Sequence, residues 1–203
     1  VETLPGAFQG IPLVIFAALL TWLILLAIGS QRKKVSGSTN QRLYVAALIA
    51  LGIGLHNLGE GLAIGTAFSL GAVALGSFLV IGFTLHNITE GVGIVAPLIP
   101  SKSEGEAGNQ ETPRLRTFIW LVLLAGAPAI LGTWVGGFAF SPLVAALFLG
   151  IGIGAIWQVI VEVGSLLRRD AEAQGVPLAS WTNLVGFFAG IAIMYLTAFL
   201  VKF

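Results

Sequence analysis

Long apolar runs, most of them separated by polar segments, follow one another along the chain. Six of them, near 11–30, 43–70, 76–99, 117–139, 143–167 and 181–202, reach the roughly 20 residues that a helix needs to cross a bilayer. The pattern predicts an all-α, polytopic membrane protein with six transmembrane helices. The polar segments are unequal. Residues 31–41 form a Gly/Ser-containing loop, and 101–116 (SKSEGEAGNQETPRLR) form the longest and most hydrophilic one, expected to be mobile. A tight apolar turn near Leu70–Gly76 joins the second and third spans, so these two must be antiparallel neighbours. Residues 1–203 read as a single transmembrane domain without a soluble appendage.

The polar residues inside the runs carry the chemistry. The second span contains Leu55-His56-Asn57-Leu58-Gly59-Glu60-Gly61 and the third Leu85-His86-Asn87-Ile88-Thr89-Glu90-Gly91, and these two copies hold both histidines of the chain. Ionisable groups in hydrocarbon cost roughly 3 kcal/mol on insertion scales unless they are paired or hydrated. On a helical wheel with His56 at zero, Glu60 falls at about 40° and Asn57 at about 100°, so the carboxylate lies between imidazole and amide. His86, Asn87 and Glu90 repeat the arrangement, and packed helices roughly 8–10 Å apart bring both sets within reach of one ion. Imidazole nitrogen with carboxylate oxygen suits zinc, iron(II), manganese and similar ions. Two bland readings compete: interhelical hydrogen bonds that only hold the bundle together, and a proton relay.

Two further features stand out. Gly54, Gly61 and Gly65 lie at roughly 160°, 140° and 180° from His56, a small-residue stripe suited to close helix contact. In the fifth span Glu162 shares a face with Gln158, four residues earlier. It reads either as a metal-path carboxylate or as a group hydrated or paired near Arg168 and Arg169.

Composition agrees with the pattern. The chain is 57% hydrophobic and 9% charged, with mean hydropathy +0.98, as in polytopic membrane proteins. It has no cysteine, which excludes disulfides and thiolate metal sites. Arg32, Lys33, Lys34 and Arg42, then Lys102, Arg114 and Arg116, then Arg168 and Arg169 fall in three loops. The positive-inside rule makes these loops cytoplasmic and puts both termini outside, which six crossings allow. The net charge of +1 and its topological placement give no reason to expect nucleic acid. The chain begins with Val1, so it is expected to be cut or processed, with no separate signal peptide evident.

The doubled motif resembles the ZIP family of divalent-metal transporters, which carry His-Asn-x-Pro-Glu-Gly in their fourth and fifth membrane helices. The stretch Gly154–Glu162 is similar to that family's seventh helix, and Ala125–Gly132 to a degraded form of its sixth. The resemblance covers about Leu13 to the C-terminus. It implies an eight-helix transporter with both termini outside, of which the six spans are helices three to eight, the first two lying before Val1. Gly59 and Thr89 replace the motif proline, and Ala129 stands where the family has a sixth-helix glutamate that helps to hold a second metal. Glu60 and Glu90 balance one divalent ion, and a second would leave uncompensated charge in low dielectric. One tightly held ion is therefore expected.

The expectation is transport of a divalent cation, zinc first and iron, manganese or cadmium next, by alternating access through a site near the midplane. His56, Glu60, His86 and Glu90 are the expected ligands, Asn57 and Asn87 auxiliary ones, and Glu162 a candidate for the cytoplasmic exit. The metal is substrate, with no organic cofactor and no enzymatic activity. The partners are the ion and the lipid bilayer of a plasma or inner membrane, with a homodimer compatible. Two alternatives stand: a membrane metal-dependent hydrolase, and a metal-binding membrane protein that does not transport.

Overall fold

The computed structural model describes residues 10–34, 37–99 and 114–200. Among them every regular element is helical: α1 (Ile11–Ser30) with a 3₁₀ turn (Gln31–Lys34), α2 (Ser38–Ser69), α3 (Val73–Val95) with a 3₁₀ turn (Ala96–Leu98), α4 (Leu115–Phe138), α5 (Pro142–Gln174) and α6 (Trp181–Leu200). All six α-helices are long and apolar enough to cross a membrane. The protein is all-α and polytopic. Most of the hydrophilic loop at 101–116 lies outside the described residues.

Three boundaries differ from the apolar pattern. Helix α2 begins at Ser38, five residues earlier than the apolar run, because its first turn is polar. Helix α5 continues to Gln174, so half of the polar segment expected as a loop at 168–180 is helical. No breaker interrupts 168–174, and Arg168 Nε reaches Glu172 Oε1 at 2.8 Å, the i,i+4 pairing that supports exposed helix. The helix stops at Gly175, whose φ of 65° permits a left-handed cap, with Val176 N–H bonded back to Ala171 O. The turn between α2 and α3 shrinks to Leu70–Ala72, where Gly71 takes φ 75°.

Helix α2 is the axis of the bundle. Of its most apolar window 56% is buried, against 33% for α5 and 17% or less for the others. Its glycine stripe fits against α4: Gly54 lies under the Leu124 carbonyl, Gly61 under Ala129 O and Gly65 under Thr133 O. The fit is reciprocal, since Gly132 and Gly136 of α4 meet the carbonyls of Leu58 and Leu62. Backbones this close leave no room for a Cβ, and dispersion rather than the hydrophobic effect holds helices together in lipid. Gly150 and Gly154 of α5 take the same role against Val14 and Ala18 of α1. With α4 on the back of α2, the opposite face, which bears His56 and Glu60, is left to α3 and α5. Helix α6 packs on α3 and is otherwise exposed.

Candidate metal centre

The α2–α3 hairpin sets the centre. Its short turn makes the helices antiparallel, so His56 and Glu60 on α2 meet His86 and Glu90 on α3 deep in both spans. Glu60 Oε1 is the hub, 3.5 Å from His56 Nε2 on its own helix and 2.7 Å from His86 Nε2 on the next. Ligand atoms of His56, Glu60 and His86 all lie within 4.8 Å of one another. Ligands about 2.05 Å from a tetrahedral zinc stand roughly 3.3 Å apart, so small side-chain shifts bring these three onto one ion.

Unsatisfied atoms mark the same place. His86 Nε2 is buried and has no aligned hydrogen bond despite its short distance to Glu60. Two acceptors that close repel each other unless a proton or cation lies between them. Glu90 Oε1 is 3.9 Å from His86 Nε2, and Glu90 Oε2, Asn57 Oδ1 and Asn87 Oδ1 are buried without partners. Buried polar atoms are nearly always paired, so three orphans beside the close His86–Glu60 contact, in two copies of one motif, mark a polar site whose hydrogen bonding is incomplete.

The neighbours hold these groups in place. Asn57 donates through Nδ2 to Ala125 O of α4 at 3.1 Å, next to the internal Pro128, while its amide also borders Glu90. The His86 ring takes an edge-on contact from Phe83 at 5.5 Å. Thr89, at the position of the motif proline, donates to His86 O at 2.6 Å, so the α3 copy keeps its hydroxyl folded onto the backbone. Gly152 of α5 faces His56, where an added Cβ would come within 3.4 Å of Nδ1.

The two copies are not equivalent. Glu60 is shared by both imidazoles, whereas Glu90 stands at the edge of the group. Glu162 is elsewhere: Oε2 accepts from Arg32 Nη1 at 3.1 Å and Oε1 from Gln158 Nε2 at 3.1 Å. Its partner is therefore Arg32 at the end of α1 rather than Arg168 or Arg169, a pairing across 130 residues that no local pattern could disclose. Gly29 makes room for it, since a Cβ there would come within 3.3 Å of Glu162 Oε1. Ala129 presents its carbonyl to Gly61 and offers no side-chain ligand.

A cavity of about 970 Å³ opens onto the His56, Glu60 and His86 side of the group, between α2, α3 and α5. Beyond these three residues its wall is almost entirely apolar.

Fold and site together define a multi-pass α-helical membrane protein with a candidate His/Glu metal-binding group between two of its helices. No family model, curated protein or solved structure matches the chain.

Proposed function

We propose that the protein is a divalent-metal transporter of the ZIP type, with His56, Glu60 and His86 as the primary ligands of the transported ion and Glu90 and Asn57 beside them. The observation that carries the reading is Glu60 Oε1, which lies between imidazoles of two antiparallel helices at 3.5 and 2.7 Å. A resident structural ion needs only a closed cage. Here the group faces a cavity, and its ligands are divided between two helices whose relative movement opens or closes it, as in carriers with midplane sites. The three basic segments, the last of them at the end of α5, favour an orientation with both termini outside in a plasma or inner membrane. Zinc, a borderline ion suited to His/Glu ligands, is the first candidate.

The test is uptake by purified protein in proteoliposomes across zinc, iron(II), manganese and cadmium. Saturable flux of at least one ion, lost in Glu60→Gln, is the expected result. Stoichiometric binding without flux would leave a non-transporting metal protein.

The apolar cavity favours a second reading, a membrane hydrolase acting on a lipid ester or amide with a metal-bound water. Three ligands, His₂Glu, with an open position toward a cleft match catalytic zinc. Zinc-dependent release of fatty acid from reconstituted lipid, with no ion flux, would select it.

A further inference from the structure

At the basic end of the bundle, where α2 begins and α3 and α5 finish, the arginines fall into two groups. Arg32 and Arg168 are matched to carboxylates, Glu162 at 3.1 Å and Glu172 at 2.8 Å. Arg42 and Arg169 are placed differently. Arg42 stands in the second turn of α2 and Arg169 in the last turns of α5, and both line one cavity that also touches the end of α3 and its 3₁₀ turn. No hydrogen bond or ion pair among the described residues holds Arg169. The cavity measures about 340 Å³, space for a headgroup rather than for a lone water, whose share of the liquid is about 30 Å³.

The two arginines lie at the depth of lipid phosphates. Counted from mid-helix, Arg42 is about 17 Å along α2 and Arg169 about 17 Å along α5. Half of the hydrocarbon core is about 15 Å thick, and the headgroup layer adds about 5–8 Å beyond it. Val163 and Leu166 of α5 and Gly93 of α3 line the same cavity and lie closer to mid-helix, at about 8, 12 and 14 Å. The wall therefore turns from apolar to cationic at the boundary where a phospholipid turns from chain to phosphate. Asp170 is the one acid on this wall. Two guanidinium groups against one carboxylate leave the cavity positive, which disfavours a metal cation and favours an anion. Each guanidinium offers five N–H donors in a fork that fits phosphate oxygens.

We propose that this cavity binds the phosphate group of an anionic phospholipid, held between Arg42 of α2 and Arg169 of α5. The positive-inside rule makes the adjoining leaflet the cytoplasmic one, where anionic lipids give the surface its negative potential. A phosphatidylcholine is a poorer ligand, because its phosphate brings a trimethylammonium group that the two arginines repel. The bound phosphate bridges two helices that also meet at the metal group, where Gly152 of α5 faces His56 of α2. Lipid at the membrane surface thereby ties together the ends of the helices that pack around the centre. The site shares no residue with the metal group and stands independently of the transport reading.

The experiment is native mass spectrometry of the full chain released from nanodiscs made of equal parts phosphatidylglycerol and phosphatidylcholine. One phosphatidylglycerol per chain is expected to be retained, several-fold in preference to phosphatidylcholine. Arg42→Gln and Arg169→Gln are each expected to lower that retention roughly fivefold, the worth of one basic residue at an anionic surface. Arg168→Gln removes the same charge one residue away and is expected to leave it unchanged. Gly93→Leu keeps every charge but fills the cavity from α3, where nothing lies within 4 Å of an added Cβ, and is expected to abolish the preference. Circular dichroism checks that each variant is folded. Equal losses in Arg168→Gln and Arg169→Gln overturn the proposal, since the arginines are then only topological anchors. A preference that survives Gly93→Leu also overturns it, because the lipid then lies outside the cavity. Displacement of phosphatidylglycerol by millimolar inorganic phosphate overturns the lipid assignment in favour of a soluble anion. His86→Ala is expected to remove metal binding and keep the lipid, which separates this result from that of the transport test.

Discussion

Replacing Glu60 by Gln tests the centre most sharply. The amide keeps the shape and one oxygen donor but removes the charge. Under the proposed function Glu60 and Glu90 balance one divalent ion, whereas Glu60→Gln would leave the ion with a net positive charge on groups that are largely buried (8% exposure for both the Glu60 and His86 side chains). Removing one partner of a buried charge pair costs about 3–5 kcal/mol, which corresponds to a roughly 150- to 4,000-fold loss of affinity. Asn57→Ala gives the scale for a neutral group. It deletes the hydrogen bond to Ala125 O and a nearby amide oxygen, at about 1 kcal/mol, or roughly fivefold. Titration calorimetry with zinc on the detergent-solubilised proteins measures both, with size-exclusion profiles to check folding. Zinc affinity of Glu60→Gln within fivefold of Asn57→Ala would falsify the role of Glu60 as the shared anionic ligand and leave the group as interhelical hydrogen-bond glue.

Zinc binding by the unmodified protein is expected to saturate at one tight ion per chain, because Ala129 supplies no further carboxylate; anomalous diffraction that finds two strong peaks contradicts this. Gly61→Ala sets a Cβ against the Ala129 carbonyl of α4, where rigid backbone cannot yield, so a loss of about 1–3 kcal/mol should appear as a lowered Tm, whereas Gly91→Ala, with open space around it, should leave Tm unchanged. Arg32→Gln strips Glu162 of its cation and should destabilise the protein by about 1–3 kcal/mol, less than a fully buried pair because the Arg32 side chain is 20% exposed; the Arg32→Gln, Glu162→Gln double variant should recover part of the loss, and strictly additive losses in thermal unfolding would show that the two do not interact. Single cysteines at Gly71 and at Gly175 should label from opposite sides of the membrane in intact cells with an impermeant reagent, Gly71 from outside; labelling of Gly175 alone reverses the orientation.

Much of this protein is written locally in its chain. Six apolar runs set the number of helices because the cost of an unpaired backbone in hydrocarbon and the thickness of the bilayer leave few other solutions. The His-Asn-x-x-Glu pair was equally legible, since ionisable residues in oil are anomalies that need no fold to be noticed. The stripe of Gly54, Gly61 and Gly65 announced a close helix contact on the face opposite His56. None of these features named a neighbour. A helical wheel ranks the faces of one helix but carries no information about which other helix covers each face. Only the tertiary structure placed α4 on the glycine stripe, because its own Gly132 and Gly136 interlock with it. That choice turned His56 and Glu60 toward α3 and α5. It also broke the symmetry of the repeat, making Glu60 the shared carboxylate and tying Asn57 to Ala125. The Arg32–Glu162 pair and the apolar cleft have the same origin: both arise where helices distant in sequence come together or stand apart, and lateral distance between helices is not encoded in the periodicity of any one of them.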